Sequence, residues 1–592
     1  MTTIVCWKPL AVALACAGLI SAGAFALAKD DEYFDPALLP GGAVCGAVAG
    51  NPFKSSAWLV FAKAQTGATP AEAAAPPLFA GLGTLTYPIS TQHPLAQKYF
   101  DQGLRLAYAF NHWEAARAFR SAQKLDPNCA MCYWGEALVL GPNINLPMQD
   151  DAVAPAFAAV EKAKALAGSA SEKERALIEA LGQRYTSDPK ADRAKLDGAY
   201  AEAMGKVAAR YPKDADIATL YAESLMDTQP WDYWEPGGGK PKGRAAEIVS
   251  TLERVLRANP DHVGAIHYYI HITEASDQPR RAVPYADRLA KLMPAAGHIV
   301  HMPSHTYYRI GRYIDSLNAN KAAVQVDEAY IAQNRPEGIY PLGYYPHNVH
   351  FVMVSAQVMG DGRTALESAD KLAGLISDQA AYAFAIAQPV KAAPYFTYAQ
   401  YAAPEKVLAL AAPPADLPYV KAHWHYARGI AQVGRGDLDA AAKEAAHIAE
   451  LGATANFKDL TDAGIPVSDV LEIARHVVLA RVAQAKGDAR GAITEFELAV
   501  AAQDRLPYME PAYWYYPVRQ SLGAALLQAG ELTRAEQAFR GSLVKVPNNG
   551  WALFGLAQVY HMRGDSKAEA VMQKLFDRAW AGEREGLTLA RL

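Results

Sequence analysis

Small and aromatic residues recur at a fixed spacing from residue 94 onward, and this spacing predicts the secondary structure. The first stretch of this kind carries Tyr99, Gly103, Ala115, Phe119, Ala122 and Pro127. A small residue lets two antiparallel helices touch, an aromatic ring fills the seam between them, and a proline just after Asp126 ends the second helix. The stretch therefore predicts a pair of helices joined by a short turn.

The same spacing recurs in later stretches of the chain. It is found at Gly429 with Ala441, at Ala480 with Ala492, Phe496 and Ala499, and at Gly523, Ala535, Phe539 and Pro547. Together these stretches resemble the tetratricopeptide repeat family over roughly residues 94–580. The resemblance implies an all-α fold, an α-solenoid of helix–turn–helix repeats. Two insertions rich in Pro and Gly, near residues 229–243 and 331–346, are expected to project from it as loops.

The sequence before residue 94 predicts two further segments. Residues 1–28 are typical of a secretory signal peptide, because Lys8 precedes an apolar run from Pro9 to Ile20 and small residues end at Ala26 and Ala28. Residues 29–93, rich in Pro, Gly and Ala, predict an extended lead-in. We therefore expect an exported protein, periplasmic or secreted, and no transmembrane segment after signal removal, since no later stretch is long and apolar enough.

The net charge of the chain and two of its short stretches limit the functions that we expect. The formal net charge is −4 and the basic residues are dispersed, so nucleic-acid binding is not expected. The stretches from Tyr99 to His112 and from Cys129 to Gly135 are similar to a group of exported bacterial tetratricopeptide proteins. That resemblance implies a location and a fold, but no particular chemistry.

Histidines occupy equivalent places in three successive repeats. His267 and His301 are 34 residues apart, as are His271 and His305, and 34 is the tetratricopeptide period. The offset from His298 to His347 and from His301 to His350 is 49, which is one period plus a 15-residue insertion. At 100° per residue, the histidines of each repeat fall on one face of their helix.

The family resemblance also implies where these faces point. In tetratricopeptide arrays the first helix of each repeat lines a concave groove, and the histidines fall at its usual ligand-contacting places. The same register places three further residues on the groove near the start of the array, Cys129, Cys132 and Glu136. The register also places two carboxylates of a later helix, Glu223 and Asp227, on the same groove.

This pattern predicts a transition-metal site, with copper or zinc as the first candidates. Neutral imidazoles bind both metals, and pairs spaced i,i+3 or i,i+4 reach one ion together. The predicted ligands are His267, His271, His298, His301, His305 and His350. Glu274, His347 and Tyr308 are predicted as additional ligands or as groups that orient the imidazoles. Because stacked helices lie about 8–10 Å apart, His267 and His271 are expected to form a four-nitrogen set with His301 and His305.

The Cys129-x-x-Cys132 pair has three interpretations. It is a disulfide at a helix start, a redox-active pair, or a soft-metal clamp. Tyr133 follows the pair, so covalent haem attachment through CxxCH is not supported.

These observations lead to competing functional hypotheses. The first is an exported groove protein that binds a transition metal for metal handling or metal-dependent oxidation. The second is a metal-free scaffold that binds a peptide or partner protein in the groove. A third is an enzyme that uses His and Glu as acid and base without a metal. The sequence leaves open whether the protein is catalytic.

Overall fold

The structure is a computed structural model that describes residues 76–585 and 587–592. The predicted signal peptide and most of the predicted lead-in lie outside the described residues. The end of the lead-in, residues 76–93, has no helix and packs along the first helix of the array. Backbone amides donate from Phe79 to Gln102 Oε1 (2.8 Å) and from Tyr87 to Asp101 Oδ1 (3.0 Å).

The described chain is all-helical, as predicted. The first helices are α1 (Pro94–Tyr108), α2 (His112–Leu125), α3 (Ala130–Leu140), α4 (Val153–Leu166), α5 (Glu172–Leu181), α6 (Arg193–Arg210), α7 (Ala215–Asp227), α8 (Ala245–Ala258), α9 (Val263–Glu274), α10 (Val283–Leu292), α11 (Gly297–His301), α12 (Pro303–Arg309) and α13 (Tyr313–Asn334). They are followed by α14 (Tyr345–Val358), α15 (Gly362–Leu375), α16 (Asp378–Ala383), α17 (Ala387–Ala392), α18 (Pro394–Tyr401), α19 (Pro404–Leu408), α20 (Pro418–Arg435) and α21 (Leu438–Thr454). The last are α22 (Lys458–Asp462), α23 (Val467–Ala485), α24 (Ala489–Asp504), α25 (Val518–Gln528), α26 (Leu532–Lys545), α27 (Gly550–Arg563) and α28 (Ser566–Ala579).

Helices that follow one another pack in pairs, and the predicted small residues make this packing possible. The Phe119 ring of α2 lies between α1 and α3, and a side-chain carbon added at Gly103 would come within 2.7 Å of that ring. Gly135 is under the same restriction. Phe539 of α26 repeats the arrangement between Gly523 and Gly555. The predicted all-α solenoid of helix–turn–helix units is thus confirmed.

Local signals set the helix ends. Asn111, Asp437 and Asp565 each accept a hydrogen bond from a backbone amide of the first turn that follows, which satisfies a donor that has no partner within the helix. Gly436 and Gly564 end α20 and α27 at positive φ, 80° and 70°, where an L side chain would be strained.

Two hydrophobic cores meet near the middle of the chain. One is built from residues between Leu82 and Tyr344 and the other from residues between Tyr313 and Leu592. Helices α9, α11 and α12 belong to the first part of the array and α14 to the second, so the histidines lie where the two cores meet. In the part of the chain that the structure describes, no helix combines the length and apolarity that a bilayer span requires.

The two predicted insertions fold back on the array. In the first, Trp231 Nε1 donates to the Ile144 carbonyl (3.0 Å) and Trp234 Nε1 donates to the Ile272 carbonyl (2.6 Å). At the second, α13 continues to Asn334 and ends at Arg335, just before Pro336. Both segments lie over the region that contains the histidines.

Candidate metal centre

Three helical segments and one later helix bring the predicted histidines together. α9 carries His267, His271 and Glu274; α11 carries His298 and His301; α12 carries His305; and α14 carries His347 and His350. The segment that we predicted as one helix through His298, His301 and His305 is divided at Met302. Pro303 has no amide hydrogen to continue the hydrogen-bond pattern there.

The first group, which we call the N-terminal triad, consists of His267, His271 and His298. One ligand atom from each lies within 4.8 Å of the others, and all three residues are buried. His267 Nδ1 is 2.7 Å from the Tyr108 carbonyl. A carbonyl only accepts, so Nδ1 carries the proton and the lone pair is on Nε2. That Nε2 lies 3.1 Å from His298 Nε2.

His271, like His267, directs its Nδ1 to a hydrogen-bond acceptor. Its Nδ1 is 3.0 Å from Glu274 Oε1, and its Nε2 is buried without a hydrogen-bond partner among the described residues. A buried polar atom of this kind costs free energy unless something binds it. The N-terminal triad therefore presents lone pairs that the described protein groups do not satisfy.

The second group, the C-terminal triad, consists of His301, His305 and His347, whose ligand atoms also lie within 4.8 Å of one another. Asn320 fixes the tautomer of His301. Its Nδ2 donates to the Ser316 carbonyl (2.7 Å), which leaves Oδ1 to accept from His301 Nδ1 (2.5 Å). The lone pair of His301 is thus on Nε2, which lies 2.8 Å from His305 Nε2.

Two buried carboxylates hold the other nitrogen of His305. Glu274 Oε2 lies 2.6 Å from His305 Nδ1, and Glu510 contacts the same nitrogen. Burial alone would lower the pKa of His305, but Glu274 and Glu510 outweigh it and raise the pKa to about 10. Burial and repulsion by Glu510 raise the pKa of Glu274 well above its usual range. Glu274 also contacts His271, so one side chain orients an imidazole in each triad.

The other imidazoles of the two triads are held neutral. Desolvation lowers the pKa of His267 to about 3. Desolvation and repulsion between neighbouring imidazoles lower the pKa well below the usual value for four more residues, His271, His298, His301 and His347. Neutral imidazole is the form that binds metal ions, so an ion that enters the C-terminal triad must displace a proton from His305.

Each triad rests against one phenylalanine ring. Phe110, just beyond the end of α1, has its ring centroid 4.4 Å from His267, 5.9 Å from His271 and 5.6 Å from His298. Phe351 of α14 lies 5.1 Å from His301, 5.0 Å from His305 and 4.9 Å from His347. These rings exclude water from one side of each triad, which strengthens electrostatic interactions there.

The predicted four-nitrogen set is not the arrangement in the structure. His267 and His271 are grouped with His298, whereas His301 and His305 are grouped with His347. Asn320 holds the His301 ring on the side of α13 and α14, and His298 takes the place beside α9. His350 is buried but lies outside both triads, with its ring 5.9 Å from Tyr515. Tyr308 packs against Phe351 and Tyr313.

The predicted thiol site has a different environment. Cys129 and Cys132 form a disulfide, with an S–S distance of 2.06 Å, so neither sulfur is available to a metal in this structure. Glu136 is 2.6 Å from Arg120 Nε and accepts from Gln123 Nε2 (2.6 Å). None of these residues belongs to either histidine triad.

The predicted groove carboxylates form a separate buried cluster. Arg184 contacts Asp227 and lies 2.9 Å from Asp197. Desolvation raises the pKa of Glu223, and desolvation together with Glu223 raises the pKa of Asp227 well above its usual range. Both carboxyl groups are thus enclosed around Arg184 and do not line an open groove.

A cavity of about 960 Å³ opens beside the histidines. Five of the predicted histidines line it, His271, His298, His305, His347 and His350, together with the predicted Tyr308 and with Glu510. Aromatic side chains from the first insertion and from the segment before α25 form further walls. Both triads therefore have access to a space of the size that small-molecule sites occupy.

Four residues of the site were not predicted from the sequence: Glu510, Asn320, Phe110 and Phe351. Glu510 is 205 residues from His305, and no helical periodicity links them. One signal was available, because Glu510 stands in a stretch containing Pro507, Pro511 and Pro517 that interrupts the repeats, and such interruptions often carry functional residues.

Known proteins resemble this chain only at low sequence identity. No protein family and no curated protein matches the sequence. Among solved structures, the chain is similar to the human IFIT1 dimer with PPP-AAAA (13% identity, 83% of this chain, 91% of that chain, TM-score 0.31). It is also similar to yeast Tom70 (12%, 82%, 95%, 0.26) and to the P58(IPK) TPR domain (12%, 80%, 99%, 0.22). By its own helix packing, the described chain is a helical-repeat protein, with buried His and Glu groups that could hold a metal.

Proposed function

We propose that this protein binds transition-metal ions, copper or zinc first, with the N-terminal triad and the C-terminal triad as the two ligand sets. One observation carries the proposal. His267, His271 and His301 each direct Nδ1 to a fixed acceptor, respectively the Tyr108 carbonyl, Glu274 and Asn320. Metal-binding histidines are held in this way, because the acceptor fixes the tautomer and aims the other nitrogen at the ion.

The alternative, a metal-free groove for a peptide or partner protein, accounts less well for the burial of these residues. Polar groups that contact a partner usually lie on an accessible surface. Here His267, His271, His298, His301 and His305 are at most 2% exposed. Buried imidazole nitrogens that have no hydrogen-bond partner, such as His271 Nε2 and His298 Nδ1, are costly, and a shared cation removes that cost.

The ligand atoms in the two triads favour transition-metal ions over magnesium or calcium. Imidazole nitrogen suits copper, zinc, iron and nickel, while carboxylates alone would suit magnesium or calcium. When bound, the ion supplies Lewis acidity or, for copper, electron transfer. The residues of the chain bind it, hold each imidazole tautomer and exclude water through Phe110 and Phe351. Metal handling and metal-dependent oxidation both remain within this proposal.

The metal proposal is tested by elemental analysis of protein purified without a histidine tag. Wild type is compared with the double variant His271→Ala/His305→Ala, which removes one ligand from each triad. The matched control is His447→Ala/His561→Ala, since both of these histidines are exposed. We expect near-stoichiometric copper or zinc in wild type and control and background levels in the site variant, with equal helical content by circular dichroism. If wild type binds no metal after reconstitution, the metal-free scaffold replaces this proposal.

We also propose that the chain is exported, on the strength of the charged, apolar and small-residue segments of residues 1–28. The mass of the protein recovered from an exported fraction tests this. The mature chain is expected to begin at residue 27 or 29. A full-length mass, or recovery only from the cytoplasm, would contradict export.

A further inference from the structure

The cavity beside the histidines also has a positively charged wall. Arg309, Arg519 and Lys545 line it, as do His305, His347 and Glu510. Arg309 is on α12, four residues after His305, and four residues of a helix rise about 6 Å. The positive wall is therefore adjacent to the C-terminal triad.

The Arg309 guanidinium is fixed in place but is not neutralised. Its Nε donates to the Glu274 carbonyl (2.6 Å) and its Nη2 donates to the Ser276 carbonyl (3.0 Å). The guanidinium also lies over the Tyr508 ring, 5.3 Å from its centroid. Within the described residues no carboxylate forms an ion pair with Arg309, so its full charge acts on the cavity.

Lys545 adds a second uncompensated charge. Arg519 is paired with Asp504, but no carboxylate within residues 76–585 and 587–592 forms an ion pair with Lys545. Partial desolvation lowers the pKa of Lys545, and repulsion from Arg519 and Arg309 acts in the same direction, against Asp504. The group formed by Arg309, Arg519, Lys545 and Asp504 thus carries an excess of two positive charges.

The other carboxylates of the cavity do not cancel this excess. Glu510 is directed to His305, and Asp232 is paired with Lys242. Glu235 and Asp277 are exposed and lie with Trp234 in the first insertion and its contacts. Other walls of the cavity are aromatic and include Phe396, Tyr513 and Trp514.

We propose that this cavity binds an organic carboxylate, with its anionic group at Arg309 and Lys545 and its apolar body along the aromatic walls. An anion beside Arg309 and Lys545 gains charge-assisted hydrogen bonds, and a volume of about 960 Å³ accommodates a drug-sized molecule. The assignment of such a molecule as the substrate rests on the proposed metal function, whereas its binding does not require the metal.

The test compares 3-phenylpropionate with its neutral analogue 3-phenylpropionamide by calorimetry, on both chelator-treated and metal-loaded protein. We expect the carboxylate to bind at least about 10-fold more tightly than the amide, the value of one charge-assisted hydrogen bond. Lys545→Gln should weaken carboxylate binding about 10-fold and leave amide binding unchanged. Lys567→Gln is the control, because Lys567 is exposed in α28 and does not line the cavity.

Several outcomes would overturn the inference. They are equal affinity for the two probes, equal effects of Lys545→Gln and Lys567→Gln, and no saturable binding of either probe. The failure of this inference is distinguishable from that of the metal proposal. Metal bound without carboxylate binding refutes only the inference, and carboxylate binding to a protein that never takes up metal refutes only the metal proposal.

Discussion

The two histidine triads have the same number of imidazoles but different surroundings. The N-terminal triad is neutral, and its one nearby carboxylate, Glu274, is shared. In the C-terminal triad His305 lies between Glu274 and Glu510, which raise its pKa to about 10, whereas desolvation lowers that of His267 to about 3. A cation entering the neutral triad meets little compensating charge. In the C-terminal triad the cation displaces a proton from His305, after which Glu274 and Glu510 offset the charge of the ion instead. We therefore expect the C-terminal triad to bind its ion more tightly.

Removing one ligand from each triad separately should have the largest effect. His301→Ala is expected to abolish the tighter site, and His267→Ala the weaker one, because each leaves only two imidazoles in its set. Metal titration followed by dialysis and elemental analysis counts the ions that remain. We expect one ion in each variant and two in wild type.

The control for this pair is His447→Ala, which changes an exposed imidazole and should keep both ions. If either site variant loses both ions at once, the triads form one site. The division between them would then be wrong.

The next largest effect is expected on the stability of the fold in acid. It concerns His423, a buried histidine outside both triads that serves as a reference for them. His423 is 1% exposed, its Nδ1 donates to the Tyr419 carbonyl (2.9 Å), and its Nε2 has no described partner. It therefore resembles His267, but without neighbouring imidazoles. Desolvation lowers its pKa from about 6.5 to about 4, so its folded form resists protonation while its unfolded form does not.

Stability should consequently fall as the pH drops from about 6.5 to about 4, by about 3 kcal/mol from this residue. His423→Phe should remove that part of the loss, as measured by urea unfolding of chelator-treated protein at pH 7 and pH 4. The result separates acid unfolding from acid release of metal in the triad variants. An unchanged pH dependence in His423→Phe would show that this buried imidazole is not held neutral.

The sequence predicted the fold from contacts that are close along the chain. Phe119 lies 16 residues after Gly103 and 16 before Gly135, and this spacing sets how neighbouring helices touch. The same periodicity placed the histidines on facing helices. It could not predict how they divide into triads, because periodicity fixes the face of a helix but not the rotation of its side chains against a later helix.

The remaining features of the site depend on single hydrogen bonds or on residues that are far apart in the sequence. Asn320 directs the ring of His301 through one hydrogen bond, and Glu510 reaches His305 from a segment outside the repeat pattern. For Cys129 and Cys132, a spacing of three at a helix start suits a disulfide and a metal clamp equally well, so spacing alone could not decide between them.

Variants of Glu274 and Glu510 test whether the two triads are coupled. Glu274→Gln should weaken metal binding about 10- to 100-fold at both triads, because Glu274 orients His271 and His305. Glu510→Gln, the matched control, should weaken only the C-terminal site, since His305 is the only histidine among the described residues that Glu510 contacts. Competition titration with a chromogenic chelator measures both affinities. Equal effects of the two variants at both sites would contradict a shared role for Glu274.

The smallest effect is expected at Asn320, and it concerns the C-terminal triad only. Asn320→Ala removes the acceptor that holds the proton of His301 on Nδ1, so His301 loses its fixed tautomer and metal affinity should fall about 10-fold there. Asn320→Asp keeps an acceptor of the same shape and should retain the affinity. The N-terminal site, measured in the same competition titration, should not change in either variant. Because Asn320 is fully buried, Asn320→Ala will also destabilise the fold, but a general loss of stability would weaken both sites alike. A loss confined to the C-terminal triad and restored by Asp would therefore show that one amide, rather than overall stability, distinguishes the two triads.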